Sequence, residues 1–163
     1  MALGDFFLKI DGVPGESFDS KHKDEIQLSS FSWGVSQAGT TAQYGGGGGA
    51  GKASFQDFHF TMTISKASPL LMKFCANGKH IPKAVLTCRK AGEKQQEYQI
   101  TTFTDILISS FMTNGSGHSD VLPTESISFN FAKLETEYKV QNKDGTLGAA
   151  TKAGYNIKEN KEV

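Results

Sequence analysis

The sequence predicts a mostly β protein with one short helix. Three observations carry that expectation. Apolar residues alternate with polar ones in several runs, among them Phe58, Phe60, Met62 and Ile64, and later Ile127, Phe129 and Phe131. Period-two alternation marks strands with one buried face. The chain also holds twelve phenylalanines, four tyrosines and Trp33, side chains that suit a pleated, half-buried surface. Only one segment repeats at helical spacing: Leu70, Leu71, Phe74 and Cys75.

In chain order, Phe6 to Ile10 reads as the first strand. Asp11 to Gly15 reads as a turn set by Pro14 and its glycines. A charged loop, Asp19 to Glu25, follows. Ile26 and Leu28 then alternate, but Phe31, Trp33 and Val35 alternate one residue out of phase. A one-residue slip turns later side chains to the wrong face. A β-bulge near Ser29 and Ser30 would repair it, leaving Ser32, Gly34 and Ser36 opposite Phe31 and Trp33. Residues 36–52, with five consecutive glycines, read as an extended loop. The next strand carries Phe58, Phe60, Met62 and Ile64.

Ser68 followed by Pro69 predicts an N-cap and a first helical residue. Gly78 predicts the helix end. Ala84, Leu86 and Cys88 mark the next strand. Tyr98, Ile100 and Thr102 begin another, running on through Ile106, Ile108, Ser110 and Met112, with Asn114 to Gly117 as a turn. The run from Ile127 slips phase near Ala132 and Lys133, after which Leu134, Thr136, Tyr138 and Val140 share a face. Asn142 to Gly154 reads as loop, and Tyr155 to Ile157 as a last strand. The sum is six to eight antiparallel strands, arranged as a sandwich or a barrel.

The 163 residues suit a single domain, 1–163. Lys plus Arg and Asp plus Glu each number 17, so the formal net charge is zero. Arg89 is the only arginine. That balance gives no electrostatic pull toward nucleic acid or an anionic membrane. No apolar run approaches the ~20 residues of a membrane span. The start of the chain lacks the basic and apolar regions of a cleavable signal peptide. Cys75 and Cys88 are too few for a disulfide framework and read as two buried thiols.

No catalytic, cofactor or metal site emerges. Gly46, Gly51 and Lys52 match the first part of a phosphate loop, but Ala53 stands where Ser or Thr should hold magnesium, and a strand follows instead of a helix. His22, His59, His80 and His118 are scattered, and only Cys75 and His80 come near a zinc spacing. Ser116 lies between glycines, but Asn114 and His118 occupy the outer positions of a nucleophile elbow. Glu16, Asp19, Asp24 and Glu25 read as a solvated loop. Lys79, His80, Lys83, Arg89, Lys90 and Lys94 read as a solvated sheet face or a salt-bridging subunit contact.

The glycine loop stands apart. A segment of this length without secondary structure exceeds the roughly 12–15 residues usual in a compact domain. Ordering it costs roughly 1–2 kcal/mol per residue, with glycine at the expensive end. A partner surface would supply the compensating contacts. Tyr44, Gly45, Gly46, Gly47, Gly48, Gly49, Ala50, Gly51 and Lys52 are therefore expected to form an assembly loop.

At this point the chain resembles the haemolysin-coregulated protein (Hcp) family of type VI secretion systems. The resemblance rests on Gly15 to Ile26, Ser32 to Gln37, the glycine run ending Ala50-Gly51-Lys52, Asp57-Phe58, Gly78 to His80 with Pro82, Arg89 to Gly92, Glu97-Tyr98 and Gly154 to Ile157. It implies an antiparallel β-barrel with one short helix packed on it, in a homohexameric ring. It implies rings stacked into a tube inside a contractile sheath, expelled with a tip spike and carrying small effector proteins in the lumen. The protein would be cytoplasmic and then secreted without a cleavable signal. It would be a structural subunit rather than an enzyme. The small polar face around Ser32 makes that residue the lumen and cargo candidate. The alternative is a stand-alone β-sandwich binding module for carbohydrate or a surface partner.

Overall fold

The computed structural model describes residues 4–39, 51–119 and 121–163. Within them lie eleven strands and one helix. The first strands are β1 (Gly4–Ile10), β2 (Ile26–Gln27), β3 (Ser30–Ser32) and β4 (Val35–Gln37). β5 (Ala53–Phe55) and β6 (Phe58–Thr63) lead to helix α1 (Ser68–Asn77). β7 (His80–Lys90), β8 (Glu97–Asn114), β9 (Thr124–Gln141), β10 (Leu147–Asn156) and β11 (Lys161–Glu162) complete the chain.

All pairings are antiparallel. The main sheet runs β11-β10-β9-β8-β7-β1-β2 and branches at β9, which also pairs β6, itself paired with β3. The segment between β2 and β3 joins the two ends. Leu28 N–H donates to Phe6 O and the next amide, Ser29 N–H, donates to Thr61 O. The ladder is not continuous there. One stretch of chain instead leaves β1 and takes up β6, giving a barrel-like wrap. This is the source of the phase slip at Ser29 and Ser30: a change of partner between two short strands, where the sequence suggests a bulge within one.

Phe58, Phe60, Met62, Phe103, Ile106, Ile108, Ile127 and Phe129 fill the interior with almost no exposure. Phe58 is its hub, with its ring centroid 5.0 Å from Phe103 and 4.9 Å from Phe129. The helix lies against β8, burying Leu71 and Phe74.

The second phase slip has a different cause. Phe103 and Ile106 are both buried although three residues apart, as are their cross-strand partners Leu134 and Phe131. Both strands turn over at one place, and Asp105 there adopts φ +53°. Lys158 and His80 bond its carboxylate and hold its pKa below the usual carboxylate value. At the same level β9 changes its outer partner. Phe129 still pairs with Phe58 of β6, while Lys133 already pairs with Asn156 of β10.

Three sequence expectations change. Ala67, not Ser68, is the N-cap residue, and no side chain caps the helix. The Ser68 hydroxyl instead donates to buried Glu125 of β9 at 2.6 Å. On β8 the core-facing residues are Thr101 and Phe103, while Ile100 and Thr102 face outward beside Glu135 and Glu137. Residues 147–154, expected as loop, belong to β10. Their glycines and alanines lack an alternating apolar signal, and their pairing with the polar end of β9 defines the strand. Gly78 ends the helix as expected, at φ +65°.

Phe58→Ala should cost about 3–5 kcal/mol, the usual penalty for emptying a phenylalanine site in a packed core. A urea melt would read this as a lower midpoint with little change in slope.

Candidate functional site

Two regions concentrate polar chemistry. One is a strap formed by residues 14–25, which folds back over the outer side of β1 and β7. Gly15 lets its legs meet, because a Cβ there would collide with the backbone of Glu25 and Ile26. Arg89, only 2% exposed, donates through Nη1 and Nη2 to Asp19 at 3.1 and 2.7 Å, and through Nη2 to Asp5 at 3.0 Å. Its Nε finds no acceptor among the described residues. The guanidinium lies 4.8 Å from the Phe7 ring, on which His22 also stacks at 4.4 Å. The two ring nitrogens of His22 meet Glu25 at 2.5 Å and Glu97 at 2.7 Å.

The charged strap is therefore not simply solvated, and Arg89 is not part of a solvated basic face. Burial on both sides of β7 at Leu86, Thr87, Cys88 and Arg89 follows from the strap covering its outer side. The readable signal was a lone arginine within an apolar strand. Its partners, far away in sequence, were not readable. Burial pushes the Cys88 thiol up to about 11, keeping it protonated and unreactive. Cys75 is only half-buried.

The second region is the non-core face of the sheet β3-β6-β9-β8. One rung across it reads Ser32, His59, Ser128, Ser110, and the adjacent rung reads Ser30, Thr61, Ser126, Met112. Hydroxyls bond across the rungs, Ser30 to Thr61 at 2.6 Å and Ser110 to Ser128 at 2.5 Å. A shallow hollow of about 400 Å³ lies over it. Ser32 is exposed here, opposite His59. The face carries hydroxyls and one imidazole, and at its border Ser109 Oγ donates to Asp57 Oδ2 at 2.6 Å and meets Ser128 Oγ at 2.8 Å.

Of the assembly-loop residues, Tyr44 to Ala50 lie outside the described residues. Gly51 and Lys52 are described, and Gly51 packs against Ala38 so closely that a Cβ would lie 2.7 Å from its carbonyl. The loop stem is not irregular as expected. Ser36 and Gln37 pair with Ser54 and Ala53 in a separate two-stranded ribbon. Phe55 roots this ribbon on the barrel, stacking on Tyr155 at 5.6 Å and meeting Phe131 edge-on at 6.2 Å.

The arrangement is a barrel-like β wrap with a hydroxyl-rich face and a separate two-stranded ribbon. Comparison with known proteins gives the family. Residues 7–138 match the model of the type VI secretion system effector Hcp. Protein hcp1 of Pseudomonas aeruginosa is 49% identical over 158 residues, covering 96% of each chain. The crystal structure of Hcp1 from Salmonella typhimurium superposes with a TM-score of 0.84 at 40% identity, covering 99% of this chain and 100% of that one. A type VI secretion system effector from Yersinia pestis gives 0.75 at 38% identity, covering 94% and 100%.

The chain belongs to the Hcp family of type VI secretion systems. Its members are structural, secreted tube proteins that self-assemble into rings, not enzymes. The stand-alone carbohydrate-binding alternative is thereby set aside.

The strap makes stability depend on acid. Hydrogen bonding to Arg89 holds the Asp19 carboxyl down to about 2, from an ordinary 3.8. A lowered folded-state value means the stabilisation is present above about pH 4 and is lost as pH falls toward 2. The side chain is 19% exposed, so solvent screening reduces the loss to about 1–2 kcal/mol. Urea melts from pH 5 to pH 2 should show this decline. Asp19→Asn should flatten it and lower stability at neutral pH.

Proposed function

We propose that six copies of this chain close into a ring lined by the hydroxyl face, and that rings stack into the secretion tube. The observation that carries this reading is the pair of free edges on the polar-faced sheet. β3 pairs only with β6, and β8 has no strand partner beyond Leu107 except β9, among the described residues. An exposed edge invites pairing with another chain. Two different free edges on one sheet favour a head-to-tail contact, which closes when its rotation divides the circle. Edge-to-edge joining of six sheets would place the hydroxyl face around a water-filled lumen.

In this reading the whole chain, 1–163, acts as one domain, and Ser32 faces the lumen where small effector proteins are carried. The ribbon and the assembly loop from Tyr44 to Lys52 reach a neighbouring copy. The contractile sheath surrounds the tube and expels it with the tip spike. The protein folds in the cytoplasm and leaves through the machine without a cleavable signal. The loop's ordering cost on an isolated copy supports its role in assembly, because a neighbour's surface would offset it.

Native mass measurement with negative-stain images should give six-subunit rings with a central hole. A monomer at high concentration would overturn the ring. Deleting residues 45–51 should leave a folded protein that stacks poorly. Unchanged stacking would remove the loop from the assembly. Ser32→Cys should react with maleimide in open rings and then exclude a small cargo, whereas protection from the reagent would place Ser32 elsewhere.

A further inference from the structure

The hydroxyl face holds a chain of hydrogen bonds whose direction follows from counting protons. β8 carries one residue more than β9 here. Ile108 pairs with Phe129 and Ser110 with Ser128, so Ser109 is the extra residue of a bulge. Ser109 Oγ donates to Asp57 Oδ2 at 2.6 Å and lies 2.8 Å from Ser128 Oγ, and Ser110 Oγ lies 2.5 Å from Ser128 Oγ. A hydroxyl has one proton to give, and an ionised carboxylate only accepts. Ser109 spends its proton on Asp57, so Ser128 must donate to Ser109. Ser128 has then spent its own, so Ser110 must donate to Ser128. All three hydroxyls point toward Asp57, and Ser110 Oγ is left with lone pairs alone. Ser128 is 3% exposed, which leaves the middle of the relay little access to water that could reverse it.

Hydrogen bonds in series polarise one another, and a charged acceptor at the end strengthens them. The relay therefore carries negative character from Asp57 to Ser110. Ser110 lines the hollow over the face, and His59 is the one titratable side chain in that lining. Phe31, Phe111 and Met112 supply apolar wall. An acceptor with no proton to offer, set beside apolar surface, matches one side chain in particular. Lysine brings three N–H donors, no acceptor and a flexible four-carbon stem that packs on apolar surface. Arginine presents a rigid fork suited to two parallel acceptors, and the relay ends in a single oxygen. A carboxylate would find no donor on the relay.

We propose that this hollow is a binding site for a lysine side chain of a bound polypeptide. Ser110 Oγ accepts from the ammonium, and Asp57 supplies the charge through Ser109 and Ser128. A neutral His59, in the same rung, adds a second acceptor. Placing the site in a lumen, with carried effector proteins as its occupants, rests on the ring reading. The chemistry of the site belongs to a single copy. It reads a functional group rather than one ligand, so different polypeptides with an exposed lysine can use it.

Methyl NMR of isotope-labelled methionines in the full chain tests this, because Met112 lies in the hollow and its signal is readable in a ring or in a single copy. The probe is the peptide acetyl-Gly-Lys-Gly-Lys-Gly-amide at pH 8, where ordinary imidazoles are neutral. It should shift the Met112 signal saturably. The same peptide with acetyl-lysine keeps the stem but loses the charge and should not, nor should its glutamate counterpart. Ser110→Ala, at an exposed position, should weaken binding of the lysine peptide roughly tenfold, the scale of a hydrogen bond to a charged group. Asp57→Asn should weaken it comparably. Ser110→Thr keeps the hydroxyl and should retain most of the binding. A lysine peptide that leaves Met112 unmoved would overturn the proposal, as would an equal response to the acetyl-lysine or glutamate peptide. Full binding to Ser110→Ala would also overturn it, reducing the effect to the general field of Asp57. Full binding to Asp57→Asn would do the same by showing that the relay carries no charge. Native mass is read on the same samples. Six-subunit rings that ignore the lysine peptide defeat the lysine site alone, and a response without rings defeats the ring alone.

Discussion

Two long strands, β8 and β9, stay paired over almost their whole length, yet the core lies on opposite sides of their two halves. A period-two ladder cannot change its buried face unless both strands turn over together. They do so at Asp105, between the pairs Phe103–Leu134 and Ile106–Phe131. The positive φ of Asp105 absorbs the extra rotation, at a cost that Lys158 and His80 help offset by bonding its carboxylate. The branching of the sheet follows. Below the turn-over β9 serves β6, and above it β10. Without this change of face, Phe103 and Leu134 could not share one core with Phe58, Phe129 and Ile108.

The strap reinforces the wrap from outside. A buried ion pair is weak evidence for stability by itself, because desolvation offsets much of its attraction. Arg89 reduces that cost by engaging two carboxylates and resting on Phe7. The arrangement fixes the strap more than it strengthens the barrel. A fixed strap determines which side chains the molecule presents.

The division of labour between the two sheet faces accounts for a fold without catalysis. Phenylalanines hold the barrel together on one side, and the hydroxyl groups of Ser30, Ser32, Thr61, Ser110, Ser126 and Ser128 line much of the other. Such a face can meet water without committing to one ligand.

Much of this was legible in the sequence. Alternation gave the strands from Phe58 and Ile127, and Pro69 with Gly78 bounded the helix. Both phase slips were visible, as was the exposure of Ser32. These features depend on local periodicity and backbone stereochemistry, which neighbouring residues largely decide. Their causes were not visible. Whether a slip is a bulge, a change of partner or a shared turn-over depends on which strand lies alongside. β10 was missed because its small residues become a strand only against β9. Arg89 and Asp19 read as solvated charges because their burial arises between segments 70 residues apart. Sequence by itself determined where the chain could extend or coil and which side of each well-patterned strand was apolar. The tertiary structure decided which strands meet, which charges are buried and which edges remain free, because those contacts are made between parts of the chain that share no local pattern.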